Sequence, residues 1–287
     1  MPSTILINPR YERFVRQHRL HEFDRVMHWH GATKVGRQTG RHIDQFEVEE
    51  DGRKVRLFVK REWRTYLKDR LRNWVNGLGW STKARREWHV LVAMNEAGLG
   101  CAEPVVMAER SGFCPQGYLV LREIRDAVLL SPYLAEHGAM MTVEQRRQLA
   151  AHLGREVARL HRSGIDHPDL FSKHILLIPT GGPGQLPQVS FIDMQRSTTR
   201  RFVPTSRRAH DLASLDATLP PSIASDADRL TFLQSYLTYG PPSLDARHLA
   251  ASVRRRSRKL RERRKIRELL RIGRHAALAL SDSAKAL

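Results

Sequence analysis

Long apolar runs are absent from this 287-residue chain; none approaches the roughly 20 residues that span a bilayer. The N-terminus, Met1-Pro2-Ser3-Thr4-Ile5-Leu6-Ile7-Asn8-Pro9-Arg10, also lacks the apolar core of a signal peptide. Cysteine is scarce: Cys101 and Cys114 form neither a disulfide framework nor a metal pattern, and two thiols suit a reducing compartment. A cytoplasmic protein is therefore expected. Internal repeats are missing, and so is low-complexity sequence apart from one basic stretch. With 41% hydrophobic and 28% charged residues, most of the chain is expected to fold. Its length suffices for one large domain or two lobes.

Acidic residues are in short supply as well. Thirty Asp and Glu face 49 Lys and Arg, a net charge of +19. The excess is uneven: from Arg254 to Arg274 twelve Lys or Arg meet only two Glu. Such a run suits a polyanionic partner, whether anionic lipid headgroups, a phosphorylated glycolipid or nucleic acid. It equally suits a solvated helix that only keeps the protein soluble. Nucleic acid is the weaker match, because no aromatic residues interleave the cations.

Hydrophobic periodicity places the motifs. Ile43–Glu49 and Lys54–Lys60 read as a hairpin around Asp51-Gly52, with Val55, Leu57 and Val59 on one face. A basic connection containing Trp and Gly runs from Arg61 to Trp80. A helix is predicted from Ser81 or Thr82 to Gly98. Val105–Met107 and Tyr118–Leu121 are short strands. Thr142 and Gln145 form a capping box for a helix with a Leu149, Leu153, Val157, Leu160 stripe, ended by Gly164. Beyond Arg200 the chain reads mostly helical, with Phe232, Leu233, Tyr236 and Leu237 as core candidates.

Five residues carry the chemistry. Glu87 shares a helix face with Val90, Leu91 and Met94, where a carboxylate is costly without a cation. Lys60 at a strand end could supply it, although Glu87 could also lie at a rim. Asp169 follows a helix end and a His-Pro turn, well placed to orient an attacking hydroxyl or simply to cap the turn. His174 opens an apolar strand, as a metal ligand or an ordinary polar residue. Asp193 ends another apolar run 24 residues after Asp169, as a metal ligand or a solvent-facing strand end. Their order, base then metal site, is that of a phosphoryl-transfer enzyme.

These residues resemble a known family. Phe58-Val59-Lys60, Arg86-Glu87-Trp88, Leu160-His161-Arg162-Ser163-Gly164-Ile165-Asp166-His167-Pro168-Asp169, His174-Ile175-Leu176-Leu177, Ile192-Asp193-Met194-Gln195-Arg196 and Asp211-Leu212 look like the lipopolysaccharide core heptose kinases. That family is related to the 3-deoxy-manno-octulosonic acid kinases within the protein-kinase-like superfamily. The resemblance spans roughly residues 55 to 215. It implies a bilobed α+β fold, with a β-rich N-lobe and a helical C-lobe. The reaction it implies is transfer of a phosphoryl group from ATP, with Mg²⁺, to a sugar hydroxyl of a core glycolipid. By the same resemblance Asp169 is the catalytic base and Asp193 the Mg²⁺ ligand, with His174 in a second metal slot. Lys60 contacts phosphates, Glu87 orients it, and the carbonyl of Glu123 and amide of Arg125 bind adenine at a hinge. Asp211 braces the catalytic loop.

The chain also departs from the wider kinase pattern. Pro168 stands where many protein kinases keep an Arg that reads a phosphorylated loop, so control of that kind is not expected. Met194-Gln195 replaces Phe-Gly after the metal Asp. His174 offers nitrogen where Mg²⁺ prefers oxygen. The segment Gly31–Gly40 has glycines but no G-x-G-x-x-G. The expected division is an extension over 1–22, an N-lobe over 23–124, a C-lobe over 125–250 and a basic helical tail over 251–287. The Arg254–Arg274 run is then expected to hold the protein against an anionic membrane surface. A small-molecule or protein kinase of this fold is the alternative within the class; a non-catalytic membrane- or nucleic-acid-binding protein is the alternative outside it.

Overall fold

The computed structural model describes residues 3–29, 33–38, 41–182, 185–240 and 245–285. An antiparallel hairpin organises its first half. Strand β3 (Arg41–Glu50) turns at Asp51 and Gly52 into β4 (Arg53–Glu62), and both turn residues have positive φ, 50° and 72°. That is the geometry an Asp-Gly pair supplies at least steric cost. The register pairs Ile43 with Lys60 and Arg41 with Glu62. Because side chains alternate across the strand, Arg41, Lys60 and Glu62 share a face, while Val55, Leu57 and Val59 point into the core.

The hairpin lies within a six-stranded sheet. Strand β1 (Ser3–Ile7) pairs with β6 (Pro104–Arg110), β6 with β7 (Gln116–Arg122), β7 with β4, and β3 with β2 (Thr33–Gln38). The first 22 residues, set apart on sequence grounds, thus supply an edge strand and part of a cover. Helices α1 (Glu12–Gln17) and α2 (Phe23–Met27) bury Phe14, Val15, Phe23, Val26 and Met27 against Val55, Leu57, Val59, Val106 and Tyr118. The Arg61–Trp80 connection also differs from its sequence reading: it contains helix α3 (Leu67–Val75). Its outward residues include Leu67, Leu71, Trp74 and Val75, so no apolar stripe faces the core as the periodicity rule assumes.

Helix α4 (Lys83–Glu96) starts where expected, with the Thr82 hydroxyl accepting from the Arg85 N–H at 3.2 Å, and Gly98 ends it at φ 63°. Its buried face of Glu87, Val90, Leu91 and Met94 meets the second core. A smaller sheet follows, ordered β5 (Gly100–Cys101), β10 (Gln188–Phe191), β9 (Ile175–Ile178) and β8 (Val128–Leu129). Helix α5 (Leu130–His137) leads to α6 (Val143–Arg162), which begins on the Thr142–Gln145 capping box. Its Leu149, Leu153, Val157 and Leu160 are buried. Helix α7 (Thr205–Asp216) and α8 (Asp226–Tyr239) complete this lobe, with Tyr236 fully buried and Phe232, Leu233 and Leu237 at the core margin.

The last helix, α9 (Ala246–Lys285), packs against α7 and is not wholly solvated. Leu249 and Ser257 are buried, and Arg261 donates to the Asp216 carboxylate at 2.8 Å. The side chains of Arg267, Arg271 and Arg274 lie outside the described ones. Among the described residues no helix is long and apolar enough to cross a membrane.

Candidate active site

The sheet face and α4 bring three charges together. Lys60 Nζ lies 2.5 Å from Glu87 Oε1, and Arg41 Nη2 lies 3.0 Å from Glu87 Oε2. All three are buried, Glu87 at 1% exposure. The rim alternative for Glu87 is therefore excluded. One carboxylate between two cations satisfies the cost of burial that either ion alone would carry. Arg41 was missed from the sequence. Its signal was the hairpin register, which places it one pleat from Lys60 on the same face.

The turn bearing Asp169 is held from several sides. Gly164 has φ 76° and sits so close to the Arg200 carbonyl that a Cβ could not fit. Asp166, fully buried, accepts from the Thr198 N–H at 2.7 Å and pairs with Arg207. Asp211 Oδ2 accepts the His167 N–H at 2.8 Å and lies 3.3 Å from His161 Nε2, whose Nδ1 accepts from the Tyr236 hydroxyl at 2.8 Å. Asp211 thus ties the turn to α6, α7 and α8. Asp169 itself receives Arg196 Nη1 on Oδ1 at 2.7 Å. Arg196, Asp166 and Arg207 had no assigned partners in the sequence, because none of those contacts is local.

His174 connects the two carboxylate positions. Its Nδ1 lies 2.7 Å from the Asp169 carbonyl, and its Nε2 lies 3.6 Å from Asp193 Oδ2. A carbonyl only accepts, so Nδ1 carries a proton there, and in the neutral ring Nε2 turns a lone pair toward the carboxylate. The ring stacks on His167 at 6.1 Å and 3°. Burial pushes the His167 pKa down, so that ring is neutral, and its Nε2 donates to the Ile192 carbonyl at 3.1 Å.

Asp193 is in the left-handed region, φ 63° and ψ 49°, uncommon for a residue with a Cβ. It is a turn out of the strand rather than a simple solvent-facing end. Burial raises its pKa, but the Lys60 and Arg41 cations more than offset this and hold the carboxyl below its ordinary value. Among the described residues no group of three or more His, Cys, Asp or Glu could hold a metal by itself. Asp193 and His174 are the two side chains here that could hold a metal, with water or substrate needed for the remaining ligands.

Glu123 and Arg125 lie on the strand connection after β7. The Glu123 N–H donates to the Arg56 carbonyl at 3.0 Å, and its carboxylate meets Arg56 Nη1 at 2.5 Å. Arg125 Nη2 donates to the Lys54 carbonyl at 3.3 Å. Both side chains thus turn back to β4. Of the expected phosphate loop, Thr33–Gln38 forms β2, and Gly31, Ala32, Thr39 and Gly40 lie outside the described residues.

Comparison with known proteins bears on this geometry. The sequence model of the lipopolysaccharide kinase (Kdo/WaaP) family matches residues 27–236. The lipopolysaccharide core heptose(I) kinase WaaP of Pseudomonas aeruginosa is 28% identical over 233 residues, covering 78% of this chain and 85% of the relative. Its counterpart from Escherichia coli is 26% identical over 163 residues, 55% of this chain and 61% of that one. The 3-deoxy-D-manno-octulosonic acid kinase of Vibrio vulnificus is 34% identical over 104 residues, 34% of this chain and 40% of the relative. A solved structure described as WaaP in complex with acyl carrier protein covers 90% of this chain and 99% of its own, with a TM-score of 0.66 and 24% identity. That likeness supports the bilobed kinase-like α+β fold.

Proposed function

Because the chain belongs to the lipopolysaccharide kinase (Kdo/WaaP) family, we infer that it transfers the γ-phosphoryl of ATP to a sugar hydroxyl of a lipopolysaccharide core glycolipid. A heptose is the favoured acceptor, since the match to the heptose kinase of Pseudomonas aeruginosa spans most of both chains. The observation that carries the mechanism is the clustering of Asp169, His174 and Asp193, with His174 Nδ1 2.7 Å from the Asp169 carbonyl and its Nε2 3.6 Å from Asp193 Oδ2.

In this reading Asp169 accepts the proton of the acceptor hydroxyl as its oxygen forms the new bond to phosphorus and the bond to the β-phosphate oxygen breaks, releasing ADP. Arg196 occupies Oδ1 and leaves Oδ2 for the hydroxyl. Lys60, kept in place by Glu87, meets the phosphates, and the backbone of Glu123 and Arg125 meets adenine. Asp193 would hold Mg²⁺ through its ionised carboxylate, a hard oxygen ligand, with His174 Nε2 at 3.6 Å from Oδ2 as a second donor. When bound, that ion neutralises phosphate charge. Positioning and charge stabilisation supply most of the rate in such transfers.

The reaction belongs on the cytoplasmic side of the envelope, where ATP is supplied, with the Arg254–Arg274 run against anionic lipid. A soluble small molecule or a protein as acceptor is the alternative. An acyl carrier protein is a further partner to test. The solved relative was described with such a protein, and an apolar cavity of about 600 Å³ lined by Leu130, Leu149, Leu153, Leu212 and Leu215 could take an acyl chain.

The decisive experiment is an ATP-consumption assay with purified core glycolipids, aminoglycosides and protein substrates, comparing wild type with Asp169→Ala. Glycolipid-dependent turnover reduced roughly 10²- to 10⁴-fold in the variant is expected from loss of a general base. Equal turnover by the two proteins overturns the mechanism, and turnover only with soluble acceptors overturns the substrate.

A further inference from the structure

Helix α3 is built inside out. Its inward residues are polar: Asp69 pairs with Lys83 at 3.1 Å, and Asn73 Nδ2 donates to the carbonyls of Ser81 and Thr82 at 2.7 and 3.0 Å. Its outward residues are apolar. Leu67, Leu71, Trp74 and Val75 are 62%, 52%, 58% and 69% exposed. At 3.6 residues per turn the four fall within one arc of about 100°.

Two more aromatic rings extend this surface. Trp80 follows the helix, and Phe113, 90% exposed, projects from the turn between β6 and β7. Arg70 joins them, its guanidinium 5.2 Å from the Trp80 ring and 6.0 Å from the Phe113 ring, with Nη1 donating to the Phe113 carbonyl at 2.7 Å. Thr65 Oγ1 donates to the Pro115 carbonyl at 3.0 Å, fixing the turn beside the helix.

Arg64, Lys68 and Arg72 are exposed around the patch. Between residues 64 and 80 the only acid is Asp69, and it is buried and paired. Contiguous apolar surface of this kind is uncommon on a protein meant to stay in water. Exposed leucine and tryptophan ringed by cations, with no exposed acid, complement an anionic bilayer, where Trp sits at headgroup level and cations meet lipid phosphates.

The patch is also mechanically close to the chemistry. Asn73 Oδ1 accepts from Arg86 Nη1 at 2.7 Å, and Arg86 Nε donates to the Gln195 carbonyl at 2.7 Å. Gln195 adjoins Arg196, which holds Asp169. Asn76 Oδ1 accepts from Arg200 at 3.1 Å, tying the end of α3 to the segment after Arg196.

We propose that α3, with Trp80 and Phe113, is an interfacial anchor that seats the active-site face on an anionic lipid bilayer, a role that rests on the glycolipid-acceptor reading. It lies far in sequence from the basic Arg254–Arg274 helix.

The test uses the full chain sedimented with phosphatidylcholine vesicles, with and without phosphatidylglycerol. Binding to the anionic vesicles is expected to fall at least tenfold, on the order of what charges in an interfacial face cost, in a Leu71→Glu, Trp74→Glu variant whose melting temperature and turnover of a water-soluble acceptor are unchanged. A Lys68→Glu, Arg72→Glu variant, which leaves the apolar face intact, should also bind less and show a flatter salt dependence. Unchanged binding by both variants overturns the anchor. So does a wild-type protein that self-associates through this face while the Leu71→Glu, Trp74→Glu variant is monomeric. Because these vesicles hold no acceptor, failure of the anchor is separable from failure of the kinase reading, which would appear as no glycolipid phosphorylation in detergent.

Discussion

Arg196 Nη1 lies 2.7 Å from Asp169 Oδ1, an ion pair reaching across 27 residues of sequence from the turn after Asp193 to the proposed base. It fixes which oxygen remains for the acceptor. Arg196→Ala is therefore expected to lower kcat roughly 10- to 100-fold through lost orientation, with KM for ATP little changed. Arg196→Lys should restore part of the loss. Steady-state kinetics on the three proteins checks this, and a variant impaired mainly in KM for ATP would contradict the positioning role.

Glu87 stands between Lys60 and Arg41, and the asymmetry of that triad is testable. Glu87→Ala removes the carboxylate that two buried cations share, a loss of about 3–5 kcal/mol by analogy with broken buried pairs. Lys60→Met leaves Arg41 on the carboxylate at 3.0 Å and should cost clearly less stability, although it removes the proposed phosphate contact. Urea unfolding ranks the two variants; the opposite ranking rejects the triad as described.

A pH dependence follows from Glu62. Burial raises its carboxyl pKa above the ordinary 4.5, only partly countered by Arg41 and Lys83. The folded state thus holds the proton more tightly than the unfolded chain. The stability this contributes is full below pH 4.5 and is lost as pH rises through the higher folded value. Glu62→Gln removes the titration, so its stability relative to wild type should improve across that interval. Melting curves from pH 4 to pH 8 decide it, and a constant difference between the proteins would refute it.

Asp211 accepts the buried His167 N–H at 2.8 Å. Asp211→Ala leaves that donor unpaired and removes the partner of His161 Nε2. A loss of about 1–3 kcal/mol is expected for the stranded donor, and kcat should fall because the Asp169 turn loosens. Nucleotide affinity should hold, since Lys60 and Asp193 are positioned by other elements. Calorimetric nucleotide binding beside kinetics separates the two effects.

The local signals were legible in the chain itself. The Asp51-Gly52 turn, the Thr82 and Thr142 caps and the Gly98 and Gly164 stops each depend on a few neighbouring residues. They follow from steric limits on φ and from unsatisfied N–H groups at helix starts. The spacing of Lys60, Glu87, Asp169, His174 and Asp193 likewise survives as order along the chain. The helix α3 was not legible. Its apolar stripe points outward, and periodicity says where a stripe is but not what covers it.

By itself, then, the sequence determined the turns, the caps, the order of the charged residues and their match to a kinase family, because those depend on short-range stereochemistry and residue type. Only the tertiary structure decided which charges meet. Arg41 reaches Glu87 through hairpin register, Arg196 reaches Asp169 from the turn after Asp193, and Asp193 turns left-handed beside His174. Coulomb and hydrogen-bond energies fall steeply with distance and burial, and distance and burial are set by the packing of elements far apart in the chain.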